Sequence, residues 1–279
     1  MKARAEEVRA LLKGAYDLHI HTGPDFRTRS VDDFEALRQA DEYGMAGILI
    51  KNHYEPTQAR AWTANQYAGT AAVAYGGIVL NHTVGGLNPF AAENSLRQGA
   101  KIVWLPTMDS ALSVATGKGQ EFAGRTGISV LNEKGELRRE VYDIMDCVKA
   151  HNVYLATGHL ATEQSLVVCR EALACGVKII FTHPDWKRDR VPVDIQSELA
   201  QQGVLIEKVF RMLPPDEMCR SISEIGFEHC FVVTDRGQPG EAAPMDAMVD
   251  YVSTMVGYGM AASEIQMLIR DNPARILGK

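Results

Sequence analysis

Short apolar runs alternate with amphipathic stretches along the chain. The runs begin at Asp17 (DLHIH), Gly47 (GILIK), Val73 (VAYGGIVL), Lys101 (KIVWL), Asn152 (NVYLATGH), Val177 (VKIIFTH), Gly203 (GVLIEKVF) and His229 (HCFVVTD). Their start-to-start spacings are 30, 26, 28, 51, 25, 26 and 26 residues. A strand, a loop and a helix of about three turns need roughly 25–30 residues, so each ordinary spacing reads as one β/α unit. The intervening stretches carry helix signals. Ser30 precedes VDDFEALRQA with Asp33 three residues on, an acidic form of the capping pattern, and Val31, Phe34 and Leu37 fall on one face. Leu166, Val167, Ala172 and Leu173 form a second stripe, ended by Gly176, and Met248, Val249, Val252, Met255 and Val256 form a third after Pro244.

Eight strands alternating with helices predict an α/β fold, a single (β/α)8 TIM barrel spanning residues 1–279. The long spacing predicts an insertion after the fourth strand, about residues 106–137. Its first part, PTMDSALSVATGKGQEFAGRTG, reads as a polar flap; its second, ISVLNEKGELRR, reads as a β-hairpin turning near Lys134 and Gly135.

Composition narrows the function classes. With 279 residues, 46% of them hydrophobic and 23% charged, the chain has enough apolar material for a core that needs no disulfide or structural metal. A net charge of −6 argues against nucleic acid as a partner, because displacing counterions from phosphates takes a basic surface. No apolar run approaches the roughly 18 residues of a membrane span, and the opening MKARAEEVRALLKG is charged throughout, so neither membrane nor secretory signal is expected. Five cysteines without a CxxC read as reduced thiols and point to a cytoplasmic protein.

The histidines change the picture. Of eight, six (His19, His21, His53, His82, His159 and His183) sit at or just past the C-terminal end of a predicted strand. In a β/α barrel those ends converge on one mouth. The HxH spacing of His19 and His21 puts both imidazoles on one side of a strand. With TGH at 159, FTHPD at 183 and VVTD at 235, the set suits a divalent cation: zinc first, with manganese, iron, cobalt or nickel also matching imidazole and carboxylate donors.

DLHIHTGPD, TGHL, FTHPD and VVTDRG, on the first, fifth, sixth and eighth predicted strands, resemble the amidohydrolase superfamily, and the ending DNPARILG is similar to the segment that closes the barrel there. The resemblance implies one or two divalent metal ions that activate water. His19, His21 and Asp235 would hold the more buried ion, and His159 and His183 the second. Asp235 would also take the proton of the attacking water and deliver it to the leaving group. Binuclear members carry a bridging Lys or Glu at the end of the fourth strand, where this chain reads KIVWLPTMDS and offers none.

Lys51, at the end of the second strand, is left with three readings: a displaced bridge as a carbamate, a clamp for a substrate anion, or a member of a structural ion pair. If it is no bridge, one ion suffices and His183 would polarise substrate. His53 and His82 read as facing the substrate or supporting the ligands. Arg27, Arg29, Lys51, Lys187, Arg188, Arg190, Lys208, Arg211 and Arg236 cluster on the loops after the strands, which points to a small anionic substrate, with Lys51, Arg27, Arg29, Arg190 and Arg236 as its contacts. The leading expectation is a metal-dependent hydrolase of an amide, cyclic amide or lactone, with a homo-oligomer allowed. The alternatives are a phosphoesterase of the polymerase-and-histidinol-phosphatase type, a mononuclear decarboxylase or hydratase, and a metal-free binding protein.

Overall fold

The apolar runs form parallel strands, and the stretches between them form helices. The computed structural model describes residues 2–117 and 124–279, so the centre of the expected flap, 118–123, lies outside the described residues. The strands are β1 (Tyr16–Ile20), β2 (Gly47–Ile50), β3 (Val73–Gly76), β4 (Ile78–Val79), β5 (Ile102–Trp104), β6 (Tyr154–Ala156), β7 (Lys178–Phe181), β8 (Leu205–Val209) and β9 (Cys230–Val233). They pair in sequence order as two sheets, β1-β2-β3 and β4 through β9. The third run is thus two strands, parted at Gly77, where a Cβ would lie 2.5 Å from the Trp104 ring. At the other edge, Asp235 donates its amide to His19 O (2.9 Å) and His21 donates to Arg236 O (2.7 Å), joining the ends of β1 and β9.

Two apolar clusters sandwich these strands. The inner one joins Leu18, Leu49, Trp104, Ile180 and Phe231 to Ile276 and Leu277 of a last helix, α12 (Asn272–Leu277). The outer one packs Ile20, Ile48 and Ile179 against α1 (Lys2–Leu11), α2 (Asp33–Glu42), α3 (Gln58–Tyr67), α4 (Pro89–Arg97), α6 (Arg139–Ala150), α7 (Thr162–Ala174), α8 (Val193–Gln201), α9 (Pro215–Ile225), α10 (Pro244–Gly257) and α11 (Ala262–Gln266). The cap of α2 is Asp32, which accepts from Glu35 N (2.7 Å), two residues later than the expected Ser30. In α7 the buried face is Val168, Cys169 and Ala172, with Leu166, Val167 and Leu173 half-buried at its margins. Within the insertion, α5 (Ala111–Ala115) is followed by a tight turn in which Leu131 bridges Leu137 antiparallel and Asn132 donates to Glu136 O (2.8 Å). No helix among the described residues is long and apolar enough to cross a membrane, and all five cysteines are unpaired.

A register shift in β1 positions the site. Between Asp17 and Ile20 the strand advances three residues while β2 advances from Ile48 to Ile50, so β1 carries a bulge. On its near side the buried Asp17 carboxylate accepts from the amides of His19 and Thr234 (3.2 Å each) and from Thr234 Oγ1 (2.5 Å). Burial pushes this carboxyl up to about 7, against the pull of those hydrogen bonds. A folded-state value above the unfolded one, about 3.9, means that stability is fully present below about pH 4 and is lost as pH rises through about 7. Asp17→Asn mimics the protonated acid, with Oδ1 accepting the two amides and Nδ2 facing Thr234. Urea denaturation across that window should show the wild type losing stability, on the order of a few kcal/mol, relative to the variant. Parallel pH curves would mean that Asp17 is ionised in the fold.

At the opposite end of the strands, the buried Asn272 donates to Phe227 O (2.8 Å) and Cys230 O (2.6 Å), fastening α12 beneath the inner cluster. Asn272→Ala removes the side-chain donor from both carbonyls, Phe227 O keeping only the Cys230 amide, and should cost about 1–3 kcal/mol in chemical denaturation. An unchanged midpoint would show that α12 is held by its apolar contacts alone.

Candidate metal centre

Five of the six strand-end histidines come together. His19, His21, His53, His159 and His183 form a closed circuit of imidazoles, with successive centroids 5.4, 4.9, 5.6, 5.2 and 5.1 Å apart (His19 to His21, His53, His159, His183 and back). All five are buried. The exits of four consecutive strands, β6 to β9, share a backbone device. Gly158, His183, Arg211 and Asp235, each two residues beyond the end of β6, β7, β8 or β9, have φ of 66, 53, 59 and 52°. Glycine takes the left-handed region freely, and at 158 a Cβ would also lie 2.2 Å from Leu105 O. For the other three the conformation costs about 1–2 kcal/mol each, a strain typical of functional sites.

Asp235 stands at one edge of the circuit. Its Oδ1 lies 3.2 Å from His19 Nε2 and 3.1 Å from His21 Nε2, and its Oδ2 lies 3.9 Å from His183 Nε2. Burial alone would raise its carboxyl, but His19, His21 and His183 hold it well below the usual range. Burial lowers His21 to about 3 and His183 to about 4, and takes His53 and His159 well below the ordinary value. At neutral pH these four rings are uncharged, the state in which imidazole binds a metal. His19 differs: burial and Lys51 pull it down, but Asp235 and Glu207 carry it upward overall.

The donors fit a divalent cation. Ligands about 2.0–2.2 Å from a tetrahedral zinc lie roughly 3.3–3.5 Å from one another, close to the spacing of Asp235 Oδ1 from the two Nε2 atoms. His21 Nδ1 and His159 Nδ1 are buried with no hydrogen-bond partner in the protein. Two donor trios are close enough for one ion each: His19, His21 and Asp235, and His19, His183 and Glu207.

Lys51 joins this cluster. Its Nζ lies 3.0 Å from His19 Nε2 and 5.3 Å from the centre of the Trp104 ring, and burial lowers it to about 8. Glu207 was not among the sequence candidates. A carboxylate inside the apolar run LIEKV was its signal, hidden because its neighbour Lys208 was read as the residue at the mouth. Asn81 and Thr107 were also missed; Thr107 Oγ1 is 2.8 Å from both His53 Nδ1 and Asn81 Nδ2, which braces the His53 ring.

Other expectations are corrected. His82 lies outside the circuit: Asn81 takes the strand-end position, and the exposed His82 ring in the following turn bonds to Thr126 O (2.8 Å). Lys208 faces away from the mouth, fully buried, donating to Asp185 Oδ2 (2.8 Å), Gln196 Oε1 (2.8 Å) and Ser221 Oγ (2.6 Å). Two of the expected anion contacts are already paired with carboxylates, Arg29 with Asp25 (2.6 Å) and Arg190 with Glu217 (2.5 Å), as is Arg211 of the same cationic cluster with Asp250 (2.6 Å). Arg27 and Arg236 do line a cavity of about 360 Å³ in front of the imidazoles, together with Met108, Trp186, Met212 and Gln238. Arg236 shares its charge there with Glu241 (3.2 Å).

A search of the curated proteins finds no match. Solved structures of similar fold include an amidohydrolase from Pseudomonas aeruginosa (TM-score 0.65, 11% identity, 98% of each chain). They also include a probable 2-pyrone-4,6-dicarboxylic acid hydrolase from Acinetobacter baumannii (TM-score 0.60, 13% identity, 95% of this chain and 100% of that one). A third is 2,6-dihydroxybenzoate decarboxylase from Rhizobium (TM-score 0.55, 14% identity, 95% and 99%). At such identities the likeness is one of fold, and at that level the amidohydrolase resemblance holds. Residues 14–207, which carry all five imidazoles, at the ends of four strands, and Glu207, match the model of a family of unknown function, and the chain belongs to that family, DUF6282.

Proposed function

We propose that this chain is a metal-dependent hydrolase that attacks an amide, cyclic amide or lactone of a small anionic substrate, working at the mouth of a barrel formed by its two sheets. The observation that carries the reading is the closed circuit of five buried imidazoles with one ionised carboxylate at its edge. His19, His21 and Asp235 would hold a divalent cation, zinc by donor type, and His159 and His183, with ring centroids 5.2 Å apart, would hold a second. Such an ion would supply Lewis-acid polarisation of a carbonyl and activate water near neutral pH.

The chain's own residues provide the rest. Asp235 is one-fifth exposed and lines the cavity, so it reaches both the donor set and an incoming molecule. Ionised at neutral pH, it accepts the water proton and returns it to the leaving group. His183, with its Nε2 on the Asp235 side, holds or polarises the reacting carbonyl. Trp186 packs on His159 (centroids 4.9 Å apart) and limits water at the back of the cavity. Lys51 is 1% exposed and does not line the cavity, which favours a role within the donor set over a clamp on substrate.

Elemental analysis of purified protein should find one or two divalent ions per chain. The zinc- or manganese-loaded protein should hydrolyse members of a panel of N-acyl amino acids and lactones. Turnover confined to phosphate esters, or release of CO2 from aromatic acids, would replace hydrolysis of C–N or lactone bonds by the phosphatase or decarboxylase reading. Asp235→Asn should lower kcat by about 100-fold or more while keeping the bound metal, in line with loss of a general base. Near-wild-type kcat would place the base elsewhere, and failure of the wild type to retain or take up any divalent ion would end the proposal.

The anion preference narrows to Arg27 and Arg236. Arg27→Met or Arg236→Met should reduce kcat/KM for an anionic substrate by about 10- to 150-fold, the loss expected for one charge-assisted contact, and leave a neutral analogue unaffected. Equal loss on both substrates would assign these arginines to the shape of the mouth.

A further inference from the structure

Glu207 lies within β8, 2% exposed, and its two oxygens address two different rings. Oε2 is hydrogen-bonded to His19 Nδ1 (3.3 Å), whereas Oε1 lies 3.4 Å from His183 Nδ1 outside hydrogen-bond geometry, and neither of these two buried atoms has another partner in the protein. An ionised carboxylate only accepts hydrogen bonds, so the ring nitrogen facing it carries the hydrogen and the lone pair is left at Nε2. Those Nε2 atoms are the ones on the Asp235 side, 3.2 and 3.9 Å from its oxygens; the ionised Asp235 also draws a hydrogen to His19 Nε2, which a bound cation would displace, leaving the Glu207 side to keep Nδ1–H. Lys51 Nζ, 3.0 Å from His19 Nε2, is a donor and asks for the same tautomer.

We infer that Glu207 is a positioning residue that fixes the tautomer and orientation of His19 and His183 together, so that ligands from β1 and from the end of β7 present their Nε2 nitrogens on the Asp235 side. This role rests on the proposed metal centre. A carboxylate behind a metal-binding imidazole raises its basicity and locks the ring, and removing one weakens metal affinity by about 10- to 100-fold. Here a single side chain serves two rings held by different strands.

The test uses the full chain, with Zn²⁺ as the probe. Affinity is read by competition with a chromophoric chelator, and the imidazole hydrogens by long-range ¹H–¹⁵N NMR, for the wild type, Glu207→Gln and Glu207→Asp. Gln keeps one accepting oxygen and offers an amide donor to the other ring. It should therefore move one of the two rings from Nδ1–H to Nε2–H and weaken zinc binding by about 10- to 100-fold, with the same number of ions at saturation. Asp keeps the charge and both acceptors on a shorter stem and should restore part of the affinity. Unchanged affinity and spectra in Glu207→Gln would overturn the inference. So would the loss of one ion at saturation, which would make Glu207 a ligand, or an Nε2–H signal from either ring in the zinc-loaded wild type, a readout that needs no variant to fold. If the wild type binds no zinc, the metal-centre reading fails on its own, and the hydrogens of His19 and His183 in the metal-free protein still decide what Glu207 holds.

Discussion

Asp235 keeps its charge in a place with little water to solvate it. A buried carboxylate ordinarily takes up a proton, because desolvation disfavours the charged form. Here three imidazoles face it, and their combined pull outweighs the desolvation, so the group stays ionised. Much of the surrounding structure serves that balance. The bulge in β1 and the two hydrogen bonds between the ends of β1 and β9 bring His19, His21 and Asp235 to one edge. Left-handed backbone at 183 and 235 turns the β7 and β9 exits at matching positions. Glu207 adds a second negative charge behind the rings, and Lys51 a positive one beside them, in a setting where each is costly alone.

The strand-and-helix order and the imidazole cluster were legible in the sequence because both rest on periodicities of backbone geometry. Strand ends fall every β/α unit, and HxH reports the two-residue alternation of a strand. The errors come from departures from that regularity. The third run looks continuous but is broken at Gly77, where the requirement is lack of space beside Trp104, a contact between residues far apart in sequence. His82 reads as a strand-end residue facing the substrate or supporting the ligands because the chain turns one residue earlier than its apolar run suggests. In β8 the choice between Glu207 and Lys208 depends on which face the strand turns inward, and four apolar or ambiguous neighbours leave that open in sequence.

The cations at the mouth teach a related lesson. Counting arginines on loops gives a positive rim on an acidic chain, but Arg29, Arg190 and Arg211 each reach a carboxylate on their own or a neighbouring segment. The exposed pairs Arg190–Glu217 and Arg211–Asp250 contribute little stability, whereas the side chains of Arg29 and Asp25 are buried. All three pairs do cancel much of the field that the bare count implies, so an incoming anion meets a nearly neutral rim with two guanidinium groups further in, one of them shared with Glu241.

The repeated left-handed residue two positions beyond β6, β7, β8 and β9 separates two kinds of inheritance. Upstream of it, the chain direction is set by the sheet; downstream, it is free to wander across the mouth. A lineage can therefore lengthen, shorten or replace the segments that meet the substrate without moving the atoms that gather the charge, provided the exit residue keeps its conformation. In the proposed hydrolase, the choice of what is bound is thereby separable from the way the bond is attacked.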